Sequence, residues 1–137
     1  MIEGMACRKA AEINSERAKK LGPSLILNGR KAVKSGSVAS MIAAEMKFHA
    51  CIYKLSGNVL IAPAMEAHWT ATQRVMGEVH MRDERPRDIW DQHEAILEAI
   101  CAADALGAES LAGQHIMQAA NFMIHRLRSQ EGGRDST

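Results

Sequence analysis

The stretch "EMKFHACIYKLSGN", Glu45 to Asn58, decides how the chain is read. Its apolar residues Phe48, Ile52, Tyr53 and Leu55 recur at the spacing of one helix face. Gly57 then accepts the left-handed conformation that helix C-termini favour, so the helix ends at "SGN". On the same segment Glu45 and His49 stand one helical turn apart, so both project from one side and can meet one ion. A carboxylate and an imidazole beside an apolar stripe are either a salt-bridging surface pair or the start of a site.

Working outward, the same period runs through nearly the whole chain. Ser37 caps the helix that holds this stretch, Val38 to Leu55, after the loop "KSGS". Upstream, a first helix covers Ile2 to Ile13, with Ala6, Ala10 and Ala11 allowing close approach. A second, capped by Ser15, reaches about Lys34. Pro23 in "LGPS" lacks an amide donor and clashes with the preceding turn, which predicts a kink or break there. Downstream, a fourth helix is expected from about Val59 to His80, then a turn at "MRDERPRD". A fifth helix follows from Asp88 to Ala103, and Asp104 caps a sixth from Ala105 to about Arg128. The polar, Gly-rich tail, 129–137, reads as disordered. No strand pattern competes, so the expected fold is all-α, an antiparallel bundle of about six helices forming one domain over 1–128.

Composition agrees. A 137-residue chain buries roughly two-thirds of its unfolded surface and needs no staples. Hydrophobic residues at 47% and aromatics at only 4%, with nine Met, suit packed helices better than sheets. The net charge of +1 gives no broad pull towards nucleic acid or anionic lipid. The basic residues near the start, from Arg8 to Lys34, are interspersed with acids and read as a solvated face. Cys7, Cys51 and Cys101 are an odd set without CxxC spacing, which reads as buried thiols in a reducing cytoplasm. Neither a signal peptide nor an apolar run of membrane-spanning length is visible.

Of six histidines, three carry context. His49 pairs with Glu45. His93 follows Trp90 and precedes Ile96, Leu97 and Ile100, and His115 lies between Leu111 and Met117. Three imidazoles and a carboxylate converging inside a bundle would make an N3O site for a divalent transition metal with open positions. The spacing has no HExxH economy, because Leu97 stands where "HEAIL" would need its second His. A surface Glu45–His49 pair with two ordinary helix histidines accounts for the same pattern.

The stretches "EMKFH", "LSGN", "QHEAILEAI" (Gln92 to Ile100), "AADALGA" (Ala102 to Ala108) and "LAGQH" (Leu111 to His115), in this order, resemble a known domain. It is the effector-binding C-terminal (FCD) domain of GntR-type transcription regulators, FadR subfamily. "MIEGMACRKAAE" is similar to that domain's first helix. The resemblance implies a metal held by Glu45, His49, His93 and His115: zinc first, with nickel, manganese or iron as alternatives. Glu45 departs from the usual Asp by one methylene. It further implies a small carboxylate effector, a homodimer, a cytoplasmic location, no enzymatic activity and no membrane. An anionic effector wants a cation or amide donors, and Arg74, Gln118 and Asn121 are the candidates. Operator DNA would be reached only through a winged helix-turn-helix domain, of which this sequence shows no sign, so the chain reads as a fragment of a longer regulator or a stand-alone domain. Two other readings of the residues stay open. One is a metal-free helical interaction module; the other is a small metalloenzyme with Glu94 beside His93 as base.

Overall fold

The computed structural model describes residues 2–61, 63, 86–115 and 128. Among them are five helices and no strand: α1 (Ile2–Ile13), α2 (Ser15–Ser35), α3 (Val38–Leu55), α4 (Pro86–Cys101) and α5 (105–115). The fold is all-α, with five helices among the described residues against the six expected. Nearly all of the expected fourth helix, most of the expected sixth beyond His115, and the expected disordered tail lie outside the described residues.

Local chemistry sets the ends. The Ser37 hydroxyl accepts from the Ser40 amide at 3.2 Å and starts α3. Gly57, at φ 75°, takes the left-handed conformation after α3. The Asp104 carboxylate accepts from the Gly107 amide at 3.0 Å and starts α5. The expected Ser15 cap is wrong: Ser15 is the first residue of α2, and Asn14 precedes it without a side-chain cap bond. Asn14 instead donates to the Leu55 carbonyl at 2.7 Å, satisfying one of the carbonyls that the end of α3 leaves open.

The expected break at Pro23 is absent as well, and α2 runs through it. Proline inside a helix costs about 3 kcal/mol, so something must offset it. The buried residues of α2, Ala18, Gly22, Ile26, Gly29 and Ala32, lie along one face on both sides of Pro23. The two glycines are notches. A Cβ at Gly29 would run into the Trp90 ring, and one at Gly22 into Leu97. Gly22 and Gly29 are seven residues apart on α2, as Trp90 and Leu97 are on α4, and they meet in antiparallel order. Arg30 completes this contact, its two terminal nitrogens reaching Asp91 at 2.9 Å and Glu94 at 2.6 Å. Being half-exposed, that fork adds less than the buried notches do.

The core gathers Phe48, Ile52 and Leu55 of α3, Trp90, Ile96 and Ile100 of α4, and the small residues Ala6, Ala10 and Ala11 of α1. Trp90 and Ile100 are wholly buried. The consequence for function lies in register: His93 stands between Trp90 and Leu97 on α4, so the notch contact fixes where its ring points. Gly29→Ala is therefore expected to destabilise the protein by about 1–3 kcal/mol through overpacking against Trp90. Urea denaturation measures this, and an unchanged midpoint would show that the notch is not tight.

Candidate metal centre

Helix α3 presents Glu45 and His49 on its buried face, one turn apart and 2% and 7% exposed. They are not a surface pair. Helix α4 brings His93, fully buried, against them. The Glu45 carboxylate accepts from His93 Nε2 at 2.8 Å through Oε2, and the same oxygen lies 3.3 Å from His49 Nε2. Phe48 stacks on the His93 ring at 4.5 Å between centroids, and Trp90 meets it edge-on at 5.0 Å. The aromatic residues in "EMKFH" and "IWDQH" thus wall the imidazole and exclude water.

Helix α5 adds His115, half-buried, its ring centroid 4.7 Å from that of His93. Its Nδ1 donates to the side-chain carbonyl of Gln92, one residue before His93. That bond leaves Nε2 of His115 with its lone pair available. One ring nitrogen from each of His49, His93 and His115 lies within 4.8 Å of the others. Glu45 joins them through its contacts with His93 and His49.

This donor set fits a divalent transition ion. Two ligand atoms each about 2.1 Å from one ion stand roughly 3.0–3.4 Å apart at octahedral or tetrahedral angles; the Glu45 separations of 2.8 and 3.3 Å are close to that range, while the three imidazole nitrogens, within 4.8 Å of one another, would draw closer around an ion. Glu45 Oε1 is buried with no hydrogen-bond partner. An orphaned carboxylate oxygen on a residue that contacts His93 and His49 is a donor that a bound cation would satisfy. An ion held here would meet three imidazole nitrogens and one carboxylate oxygen, and would have to displace the proton of His49 that faces Glu45.

The charges explain how such a polar group survives burial. Burial opposes ionisation of both carboxylates and of His49, but the mutual contacts prevail. Next to the imidazoles of His93 and His49, Glu45 is held well below the usual carboxylate range. Bonded to His49 and Tyr53, Glu3 is held at about 2. Between these two carboxylates His49 is pushed up to about 10. Burial and the neighbouring His93 and His49 push His115 down to about 4, leaving it neutral. The Cys7 thiol nearby is raised to about 12 by burial and by Glu3, so it stays protonated and unreactive. Glu3, Cys7, Phe48, His49, Ala112 and His115 help line a small pocket of about 10 Å³, room for a single water.

Of the four residues expected to be ligands, His49, His93 and His115 come together, and Glu45 contacts His93 and His49. The candidates for holding an effector, Arg74, Gln118 and Asn121, lie outside the described residues. Three residues of the site went unread in the sequence: Glu3, Tyr53 and Gln92. Glu3 left one signal, since it shares the face of α1 that carries Ala6, Cys7 and Ala10, and a carboxylate on a buried stripe needs a partner.

The family model of the FCD domain matches residues 1–118. No curated protein matches the chain.

The ionisation pattern gives the metal-stripped protein a pH optimum of stability. The depressed carboxyl of Glu3 contributes fully above pH 4.5, and its contribution is lost as pH falls through about 2. The raised imidazole of His49 contributes fully below pH 6.5, and its contribution is lost as pH rises through about 10. Melting temperature in chelator should therefore peak between those limits. Glu3→Gln should flatten both limbs, because Glu3 belongs to each; a Glu3→Gln profile identical to the parent's would refute the coupling.

Proposed function

Because the chain belongs to the FCD family, the effector-binding C-terminal domain of GntR-family regulators, we propose that it is a metal-dependent sensor of a small carboxylate. Glu45, His49, His93 and His115 are its proposed metal ligands, and zinc the first candidate. The observation that carries this reading is the buried, partnerless Oε1 of Glu45, whose carboxylate contacts His93 and His49, two of three converging imidazoles. A bound divalent ion supplies positive charge and open coordination positions to which an effector carboxylate can bind.

The chain's own residues do the rest. Phe48 and Trp90 keep water from His93, which strengthens every charge contact in the site. The pocket lined by Cys7, Phe48, Ile52, Ile96 and Ala112 beside His115 has room for about one water, so an effector would enter it only as these apolar walls part. Because the ligand set spans α3, α4 and α5, an effector that favours one arrangement of these helices shifts their equilibrium, and only that difference in affinity carries a signal. FCD domains often dimerise; in a homodimer the shift would reposition paired DNA-binding domains of a longer regulator. Arg74, Gln118 and Asn121 remain the proposed contacts for the effector's anionic end. Regulation, not turnover, is the proposed role.

Elemental analysis of untagged protein, purified without chelator, is expected to find near-stoichiometric zinc, nickel, manganese or iron. His93→Ala and His115→Ala should each lower metal content. His93→Ala should also lower the melting temperature by several degrees, since Glu45 is then buried with one imidazole fewer. Unchanged metal content in both variants would sink the ligand assignment. A screen of small carboxylates should raise the melting temperature of loaded protein and not of stripped protein.

A further inference from the structure

We propose that Glu3 is the positioning residue of the metal centre, and that through it the first helix is mechanically coupled to the ligand set. The inference rests on the reading of the site given above. Glu3 stands in the first turn of α1 and is not among the proposed ligands. One of its oxygens, Oε1, receives His49 Nδ1 at 2.9 Å and the Tyr53 hydroxyl at 2.7 Å. His49 and Tyr53 are one turn apart on α3, so a single carboxylate bridges two groups on one rigid face. The bond at Nδ1 does two things. It fixes the rotation of the imidazole, and it points Nε2 inwards, 3.3 Å from Glu45 and towards His93. A carboxylate on the outer nitrogen of a metal-binding histidine also raises the basicity of the inner one, and losing such a partner typically costs about 10- to 100-fold in metal affinity.

The placement of Glu3 adds a second consequence. Helix α1 packs its small residues Ala6, Ala10 and Ala11 into the core with almost no surface exposed, so it behaves as a rigid rod against α3. A displacement of α1 along its axis pulls on His49 through Glu3. Conversely, an ion that holds His49 in place holds the start of α1. The small pocket beside the site, with room for about one water, is lined by Glu3 as well as by His49 and His115, so a group that widens it meets this bridge directly. Glu109 of α5 also pairs with α1, reaching Arg8 at 3.8 Å on the surface, outside the chain of contacts that joins Glu3, His49, Glu45 and His93. It serves as the control.

The experiment is zinc titration of the 137-residue parent chain, Glu3→Gln, Glu3→Ala and Glu109→Gln against a chromogenic chelator. Two companion measurements are the visible spectrum of the cobalt-loaded proteins and hydrogen exchange across α1 with and without zinc. Glu3→Ala is expected to bind zinc about 10- to 100-fold more weakly, still at one ion per chain when saturated. Its cobalt spectrum should shift, and zinc should no longer protect the first turn of α1. Glu3→Gln keeps an acceptor oxygen and should lie between it and the parent, while Glu109→Gln should match the parent. If Glu3→Ala does not fold, Glu3→Gln decides: affinity below that of Glu109→Gln upholds the role, and equal affinity overturns it. A parent that takes up no metal overturns the reading of the site and this proposal with it. A parent that binds zinc no better than Glu3→Ala overturns only the role of Glu3.

Discussion

The buried polar cluster of the described residues depends on one carboxylate. Glu45 is 2% exposed, and an ionised carboxylate in that position is tolerated only if charge and hydrogen bonds replace the water it has lost. His93 and His49 supply this from two helices, and Glu3 extends the set to a third. Buried ion pairs are seldom the cheapest way to stabilise a core; apolar residues of similar size would pack the same space at lower cost. A chain that keeps two carboxylates and three imidazoles among Phe48, Trp90 and Ile96 holds a set that packing alone does not call for.

The apolar framework is built to hold that set in register. The notches at Gly22 and Gly29 let α4 approach α2 closely enough for Trp90 and Leu97 to lock. His93 lies between them in sequence, so its ring has little freedom. Phe48, stacked on His93 from α3, transmits the same constraint across the site. Tolerance of Pro23 follows from this arrangement too. Local propensity asks for a break, and the packed face on both sides of the proline overrules it.

These contrasts separate what the sequence made legible from what it did not. Helices α1 and α3 could be bounded to the residue because their signals are local: period, the Ser37 cap and the glycine after Leu55. Pro23 and Ser15 misled because the deciding contacts come from elsewhere, from α4 for the proline and from the Leu55 carbonyl for Asn14. The site shows the same division. Glu45 and His49 share a helix, so their pairing is visible in a spacing of four. His93 and His115 were suggested by their place beside apolar stripes and by motif order. Glu3, Tyr53 and Gln92 were not, because a contact between α1 and α3 leaves no periodic trace in either segment.

The glutamate at position 45 shows how one methylene changes the balance among helices. A shorter acid at that position would stay closer to the backbone of α3 and to His49 on its own helix. The longer side chain brings Oε2 nearer to His93 on α4, at 2.8 Å, than to His49, at 3.3 Å. Glu45 is therefore primarily a bridge between helices and only secondarily a partner within one. His49, correspondingly less tied to Glu45, takes its strongest orientation from Glu3 at 2.9 Å. The extra reach at one position and the carboxylate on α1 are thus complementary: the first releases the imidazole that the second holds.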